Sequence, residues 1–280
     1  MGLDDVVEIE AVLKTGRNST VYKAWHKRLQ KHVAVKEVKH TEKTDTEIKR
    51  SEADALKNIK SPYTPQVYDF LSEKSLSFTI LEYIRGESLA KLLERKECLT
   101  EERVVKWYKQ LAFAMETIHK QNVYHRDIKP SNIMLSAEDD VCLIDFNFAL
   151  VGTCGVRQCC RSVGYTSPEQ QKLFKDYENI LESQSKQGLP PQLIDWRRSD
   201  IYSLGATMLH LLTGNHPSEQ VCEAAKLYQK EGGITARPLI LHLINKSMQQ
   251  SPGKRYADAK QISDEISSMS RAAWSKKDSS

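Results

Sequence analysis

Apolar and polar positions alternate with a period of two through most of the first eighty or so residues. The segments EIEAVLKTG, VYKAWH, VAVKEV, VYDFLS and LSFTILEYI are therefore predicted strands. One segment among them, TDTEIKRSEADALKNI, has helical spacing instead. From Ser88 onward the period lengthens to that of a helix. It is clearest in TEERVVKWYKQLAFAMETIHKQN, where Val104, Tyr108, Leu111, Met115 and Ile118 share one face and should be core. Thr100 is the predicted N-cap of that helix, and Glu101 and Glu102 suit its positive end. A second apolar helix, IYSLGATMLHLLTG, should start at Ser199 or Asp200 and stop at Gly214. The intervening QQKLFKDYENILESQSKQGLPPQLIDWRR is polar and punctuated by Pro and Gly, which predicts an excursion over the surface. The expected fold class is α+β. A small β-rich lobe of about residues 1–84 with one main helix meets a larger, mainly helical lobe of about 85–270, followed by a polar tail, 271–280.

Composition narrows the function more than it changes this picture. A chain of 280 residues buries a sizeable core without cross-links. Its six cysteines, Cys98, Cys142, Cys154, Cys159, Cys160 and Cys222, form no CxxC pair and have no His-rich partner segment, which argues against a zinc knuckle and a secreted disulfide framework. A reducing compartment fits, so the expected location is the cytoplasm, either for this chain alone or as the cytosolic part of a longer membrane-anchored protein. The start, MGLDDVVEIE, is acidic and lacks the pattern of a signal peptide, and no run is long enough to span a bilayer. Val6 stands where a myristoylation motif following Gly2 prefers Ser or Thr. The net charge of +4 is dispersed through mixed-sign segments such as KHTEKTDTEIKR, with no basic-aromatic stripe, so nucleic acid is not an expected partner.

Chemistry concentrates in YHRDIKPSNIML, residues 124–135. His125, Arg126, Asp127, Lys129 and Asn132 fall within eight positions, Pro130 prevents a regular helix, and apolar neighbours anchor both ends. Thirteen residues after Asn132, the apolar run LIDFNFAL carries Asp145 and Asn147. Two acids, an amide and a lysine on adjacent loops supply what magnesium and phosphate require: hard oxygen ligands, a base for a hydroxyl, and a cation for developing charge.

At these residues the sequence resembles the eukaryotic-type (Hanks-type) protein kinases, over nearly its whole length and with a cast closer to the bacterial members. HRDIKPSN and DFN stand in the family's order and near its spacing. The resemblance implies a bilobal kinase-like fold over residues 1–270 that binds ATP with Mg2+ or Mn2+ and phosphorylates protein Ser/Thr hydroxyls, its own included through a transient homodimer. It implies that Asp127, Lys129, Lys36 and Glu52 are the catalytic set, with Asn132 and Asp145 as metal ligands. Leu13, Gly16, Val21, Ala34, Lys36, Leu81, Glu82 and Ile84 would surround the nucleotide, Leu81 as gatekeeper and Glu82 to Ile84 as a hinge offering backbone groups to adenine. Lys129 and Ser162 resemble the serine/threonine branch. SPE at 167–169, Asp200 and Arg255 resemble scaffold positions, with Asp200 bracing the catalytic loop and Arg255 pairing with Glu169.

Three features depart from the family. Lys14 and Ser19 occupy the outer positions of a loop in which only Gly16 of three glycines remains, and Asn147 replaces the glycine of DFG. Lys14 is expected to point away from the nucleotide, and Asn147 to adopt the left-handed backbone that Asn tolerates. These departures favour the alternative of a pseudokinase or nucleotide-binding scaffold; the intact polar set weighs against it. In the activation segment, Cys154, Cys159 and Cys160 beside Arg157 and Arg161 are candidates for redox control, against a plain packing role, and Thr153 and Thr166 for autophosphorylation. Phe174, Tyr177 and Trp196 in the excursion are candidates for docking.

Overall fold

The computed structural model describes residues 2–16, 18–40, 51–73, 75–97, 99–152, 161–182, 194–217 and 238–275. A short helix, α1 (Leu3–Val6), leads into β1 (Val7–Thr15), β2 (Ser19–His26) and β3 (Lys31–Lys39), and after α2 (Ser51–Leu56) come β4 (Val67–Glu73) and β5 (Leu76–Glu82). The five strands form one antiparallel sheet in the order β1-β2-β3-β5-β4. Period-two alternation sends Val33, Val35, Phe78 and Ile80 to one face, where they pack with Val6, Val7 and Ala24. The opposite face carries a continuous rung across four strands, Lys14 beside Val21, Val21 beside Lys36, and Lys36 beside Thr79.

The sheet ends at Glu82, and the next strand, β6 (Gly86–Ser88), pairs with a different sheet. Beyond it lie α3 (Leu89–Glu94), α4 (Glu101–Lys120), β7 (Val123–Tyr124), β8 (Ile133–Ser136), β9 (Val141–Leu143), β10 (Leu150–Val151), α5 (Pro168–Glu182), α6 (Trp196–Thr213), α7 (Pro238–Ser247) and α8 (Ala259–Ser275). This is the expected small β-rich part followed by a helical one. Thr100 caps α4 by accepting from the Arg103 amide, and the face of Val104, Tyr108, Leu111, Met115 and Ile118 is buried as its spacing predicts. Gly214 ends α6 in the left-handed conformation (φ 68°). The start of α6 differs from expectation: Asp195 caps it through the Arg198 amide, so the helix begins at Trp196, ahead of Ser199 and Asp200. The first turn, WRRS, is mostly polar and hides the apolar period. The larger core joins α4, α6, α7 and α8 and continues through Ala55, Leu56, Ile59 and Leu81 into the first part of the chain. No helix among the described residues is long and apolar enough to cross a membrane.

Candidate active site

Lys36 projects from β3 into the interior, with only 4% of its surface exposed. A buried ammonium without partners would cost several kcal/mol, roughly. Here its Nζ lies 2.8 Å from Glu52 Oε1 on α2 and 2.7 Å from Asp145 Oδ1. Burial alone would pull the ammonium pKa down, but the fields of Glu52 and Asp145 outweigh it and the net shift is upward. Burial likewise opposes ionisation of Asp145, yet Lys36 chiefly, with Lys14 and His125, holds its pKa down to about 2. Glu52 Oε1 also accepts from the Phe146 amide at 3.0 Å, tying α2 to the segment that carries the acid. Phe146 is fully buried, its ring 4.7 Å from that of His125, and His125 Nε2 donates to the Ile144 carbonyl at 3.0 Å.

The turn in that segment differs from expectation. The left-handed residue is Asp145, φ 66°, and Asn147 is absent from the positive-φ residues. Strain therefore sits on the acid itself, where the bonds to Lys36 hold it.

Asp127 is buried at the centre of the second loop. Its Oδ1 accepts from Ser162 Oγ at 2.6 Å. Its Oδ2 pairs with Lys129 Nζ at 2.8 Å and accepts from Asn132 Nδ2 at 3.0 Å. Lys129 also donates to Ser162 Oγ at 2.9 Å. With its amide nitrogen turned to Asp127, Asn132 keeps its oxygen as an acceptor, reached at 3.5 Å by Ser131 Oγ. Beneath the loop Asp200 is wholly buried. It accepts from the amides of His125 (2.9 Å) and Arg126 (2.8 Å) and from His119 Nε2 (3.0 Å).

A cleft of about 430 Å3, within the range of small-molecule sites, lies between the two parts. Leu13, Val21, Ala34 and Lys36 line it from the sheet, Leu81, Glu82 and Ile84 from the connection, and Asp145 from below. Glu82 differs in one respect: its amide donates to the Gln66 carbonyl at 2.8 Å, away from the cleft. Gly16 does not line the cleft; its amide closes the β1–β2 hairpin on the Ser19 carbonyl at 2.7 Å. Lys14 does line it, contrary to expectation. A β-bulge between Val12 and Lys14 explains the difference, because it breaks the alternation and lets Leu13 and Lys14 face the same side. Tyr83, inside the expected hinge, lines the cleft as well; Pro65, Met134 and Ile144 also line it and carried no sequence signal of their own.

The donor set fits a hard divalent cation: one carboxylate held ionised, one amide oxygen, and room for phosphate oxygens to complete the shell. No cluster of three or more His, Cys, Asp or Glu able to hold a metal occurs among the described residues, and a phosphate-bound magnesium does not require one.

Comparison with known proteins agrees with the geometry. The family described as protein kinase domain matches residues 7–278. The chain belongs to that family. Two probable serine/threonine-protein kinases resemble this kinase: one of Clostridium acetobutylicum, 29% identical over 95% of this chain and 40% of the relative, and one of Clostridium perfringens, 30% identical over 88% and 36%. The serine/threonine-protein kinase pkn3 of Myxococcus xanthus is 29% identical over 94% of this chain and 50% of its own length. The chain thus spans half or less of the length of these curated relatives.

Around the kinase site, Arg255 grips Glu169 with two hydrogen bonds of 2.6 and 2.9 Å and donates to the carbonyls of Arg198, Gln249 and Gln250. The surface excursion is in its first half the helix α5. Trp196 is buried against Leu150 and Leu173, with the Arg126 guanidinium 4.6 Å from its ring centre, so it is not available for docking, whereas Phe174 and Tyr177 are half-buried. Thr166 is buried and hydrogen-bonded to the Ser162 backbone through its hydroxyl, which removes it as an accessible acceptor in this conformation. Thr153, Cys154, Arg157, Cys159 and Cys160 lie outside the described residues.

Proposed function

We propose that this kinase transfers the γ-phosphoryl group of ATP to Ser and Thr hydroxyls of proteins, its own chain included, with Mg2+ or Mn2+ as the metal. One observation carries the reading: an acid, Asp127, held by Lys129, Asn132 and Ser162, lies on the loop whose Ser131 lines a cleft that also presents a paired lysine and an ionised aspartate. Asp127 orients the acceptor hydroxyl and takes its proton as the oxygen attacks phosphorus. Lys129, bonded to the same carboxylate, neutralises charge that develops on the transferred group. Lys36 reaches the phosphates nearest the adenine, and Glu52 positions it. Leu13, Val21, Ala34 and Leu81 enclose the base, with the hinge groups of Glu82 and Ile84 at its edge. Asn132 and Asp145 hold the metal, which supplies charge neutralisation on the phosphates. The kinase domain in this reading occupies residues 1–270 and works in the cytosol, and two copies meet transiently for trans-autophosphorylation.

The test is transfer of labelled phosphate from ATP to a generic protein substrate and to the chain itself, with and without magnesium. Asp127→Asn and Lys36→Met should each lower turnover by about 10³-fold or more while the protein stays folded. Wild-type turnover in either folded variant overturns the assignment of roles. Binding of ATP without any transfer favours the scaffold alternative.

A further inference from the structure

The nucleotide cleft contains a second lysine that the family resemblance gives no role. Lys14 stands on the rung Lys14, Val21, Lys36. Directly opposed residues of neighbouring strands project to the same face, and Val21 and Lys36 both face the cleft. Lys14 therefore projects there too, two strands from Lys36, or about 10 Å between their backbones. The bulge after Val12 makes this orientation compatible with Leu13 also lining the cleft.

The charges explain what an ammonium there would do. Lys36 is shared between Glu52 and Asp145, so this buried triad is formally net negative and unwelcoming to polyphosphate. Lys14 has no ion pair or side-chain hydrogen bond among the described residues, and it lines the same cavity as Lys36 and Asp145. An exposed lysine is ordinarily a solvated charge on a flexible stem. This one is aimed over a cavity in which Lys36, the lysine beside Asp145, is already paired; the third lysine of the lining, Lys91, stands on α3.

We propose that Lys14 is a nucleotide-binding residue, its ammonium contacting the phosphate chain of a nucleoside triphosphate from the sheet side and opposite Lys36. It supplies by charge part of the phosphate recognition that a loop with one remaining glycine supplies less well through backbone amides. This inference rests on the nucleotide-binding reading above.

The test is direct binding of ATP, ADP and adenosine to the full chain and to Lys14→Gln and Lys14→Arg, measured by calorimetry with and without magnesium and at low and high salt. Lys14→Gln should weaken ATP binding about five- to tenfold, ADP binding less, and adenosine binding not at all. Lys14→Arg should retain most of the affinity. High salt should shrink the difference between wild type and Lys14→Gln. Equal ATP affinity in wild type and Lys14→Gln overturns the role of Lys14 and leaves the kinase reading standing. A loss that is as large for adenosine as for ATP overturns it also, because the side chain would then act on the base or on the hairpin. Failure of the wild type to bind any of the three overturns both.

Discussion

Asp200→Asn should destabilise the protein by about 3 kcal/mol and slow it without weakening nucleotide binding. Asp200 Oδ2 accepts from the His125 amide and from His119, and Oδ1 accepts from the Arg126 amide. An asparagine has one acceptor oxygen. Placed at Oδ2 it keeps two of the three donors, and its own NH2 then faces the Arg126 N–H. One charge-assisted bond is lost, worth roughly 1.5–3 kcal/mol, and a buried amide is left unsatisfied at roughly 1–3 kcal/mol. Part returns if the backbone relaxes, because Arg126 sits at φ 68° and a non-glycine residue there stores about 1–2 kcal/mol. Relaxation at Arg126 moves its neighbour Asp127, and misplacement by about 1 Å can cost roughly 100-fold in rate. Urea denaturation gives the stability difference; steady-state kinetics and ATP titration give kcat and the nucleotide affinity separately. A variant within about 0.5 kcal/mol of wild type, or one that loses ATP affinity in proportion to kcat, would refute the view that this carboxylate braces the catalytic loop.

Ser162→Ala removes a hydroxyl that bridges Asp127 and Lys129, so kcat should drop about tenfold or more with ATP affinity unchanged, and Ser162→Thr should restore it; no drop means the bridge is incidental. Gly164→Ala should lower the melting temperature by about 5 °C or more, since Gly164 has φ 82° and an added Cβ would lie 1.6 Å from the Pro217 carbonyl oxygen; an unchanged melt would refute the close approach. Burial first, and His216 second, push the His210 pKa down to about 4, below the ordinary 6.5. Its neutral side chain receives the Tyr165 hydroxyl at 2.6 Å. Because the unfolded chain takes up this proton more readily, the contribution to stability is whole above pH 6.5 and is lost as pH falls toward about 4. His210→Asn, which keeps an acceptor, should flatten that acid limb by about 1–2 kcal/mol in urea midpoints; an unchanged limb would exclude His210 as its source.

Local rules made much of this molecule legible. Strand alternation, the Thr100 cap and the Gly214 stop depend on a few neighbouring residues, and they were readable as such. The polar loop was readable because His125 to Asn132 are adjacent in sequence as well as in space. What escaped depends on distant partners. Trp196 lies in a polar stretch, and it becomes core largely through residues from elsewhere in the chain, Leu150, Leu173 and Tyr124. Ile144 and Met134 look like ordinary apolar strand-edge residues until the sheet is placed across from them. Lys14 was misdirected by a bulge, which depends on how β1 registers against β2 and leaves no mark in the hydrophobic period.

The same distinction bears on the departures that favour a scaffold over an enzyme. Asn147 matters only if the turn after Asp145 needs glycine's left-handed freedom at that position, and the positive φ falls on Asp145 instead. The Asp145 carboxylate is fixed by Lys36, Lys36 by Glu52, and Glu52 by the Phe146 amide, so the chain of contacts returns to the residue next to Asp145. Such a closed ring resists replacement of one member, because a buried charge left behind costs roughly 3–5 kcal/mol. Asn147 is outside it. Lys36, Glu52, Asp127, Lys129, Asn132 and Asp145 all keep their partners, and these are the groups on which transfer depends in the proposed reading. The missing glycines lend the scaffold reading little support, since Gly16 still closes its hairpin and Lys14 adds positive charge over the cleft that Lys36 serves.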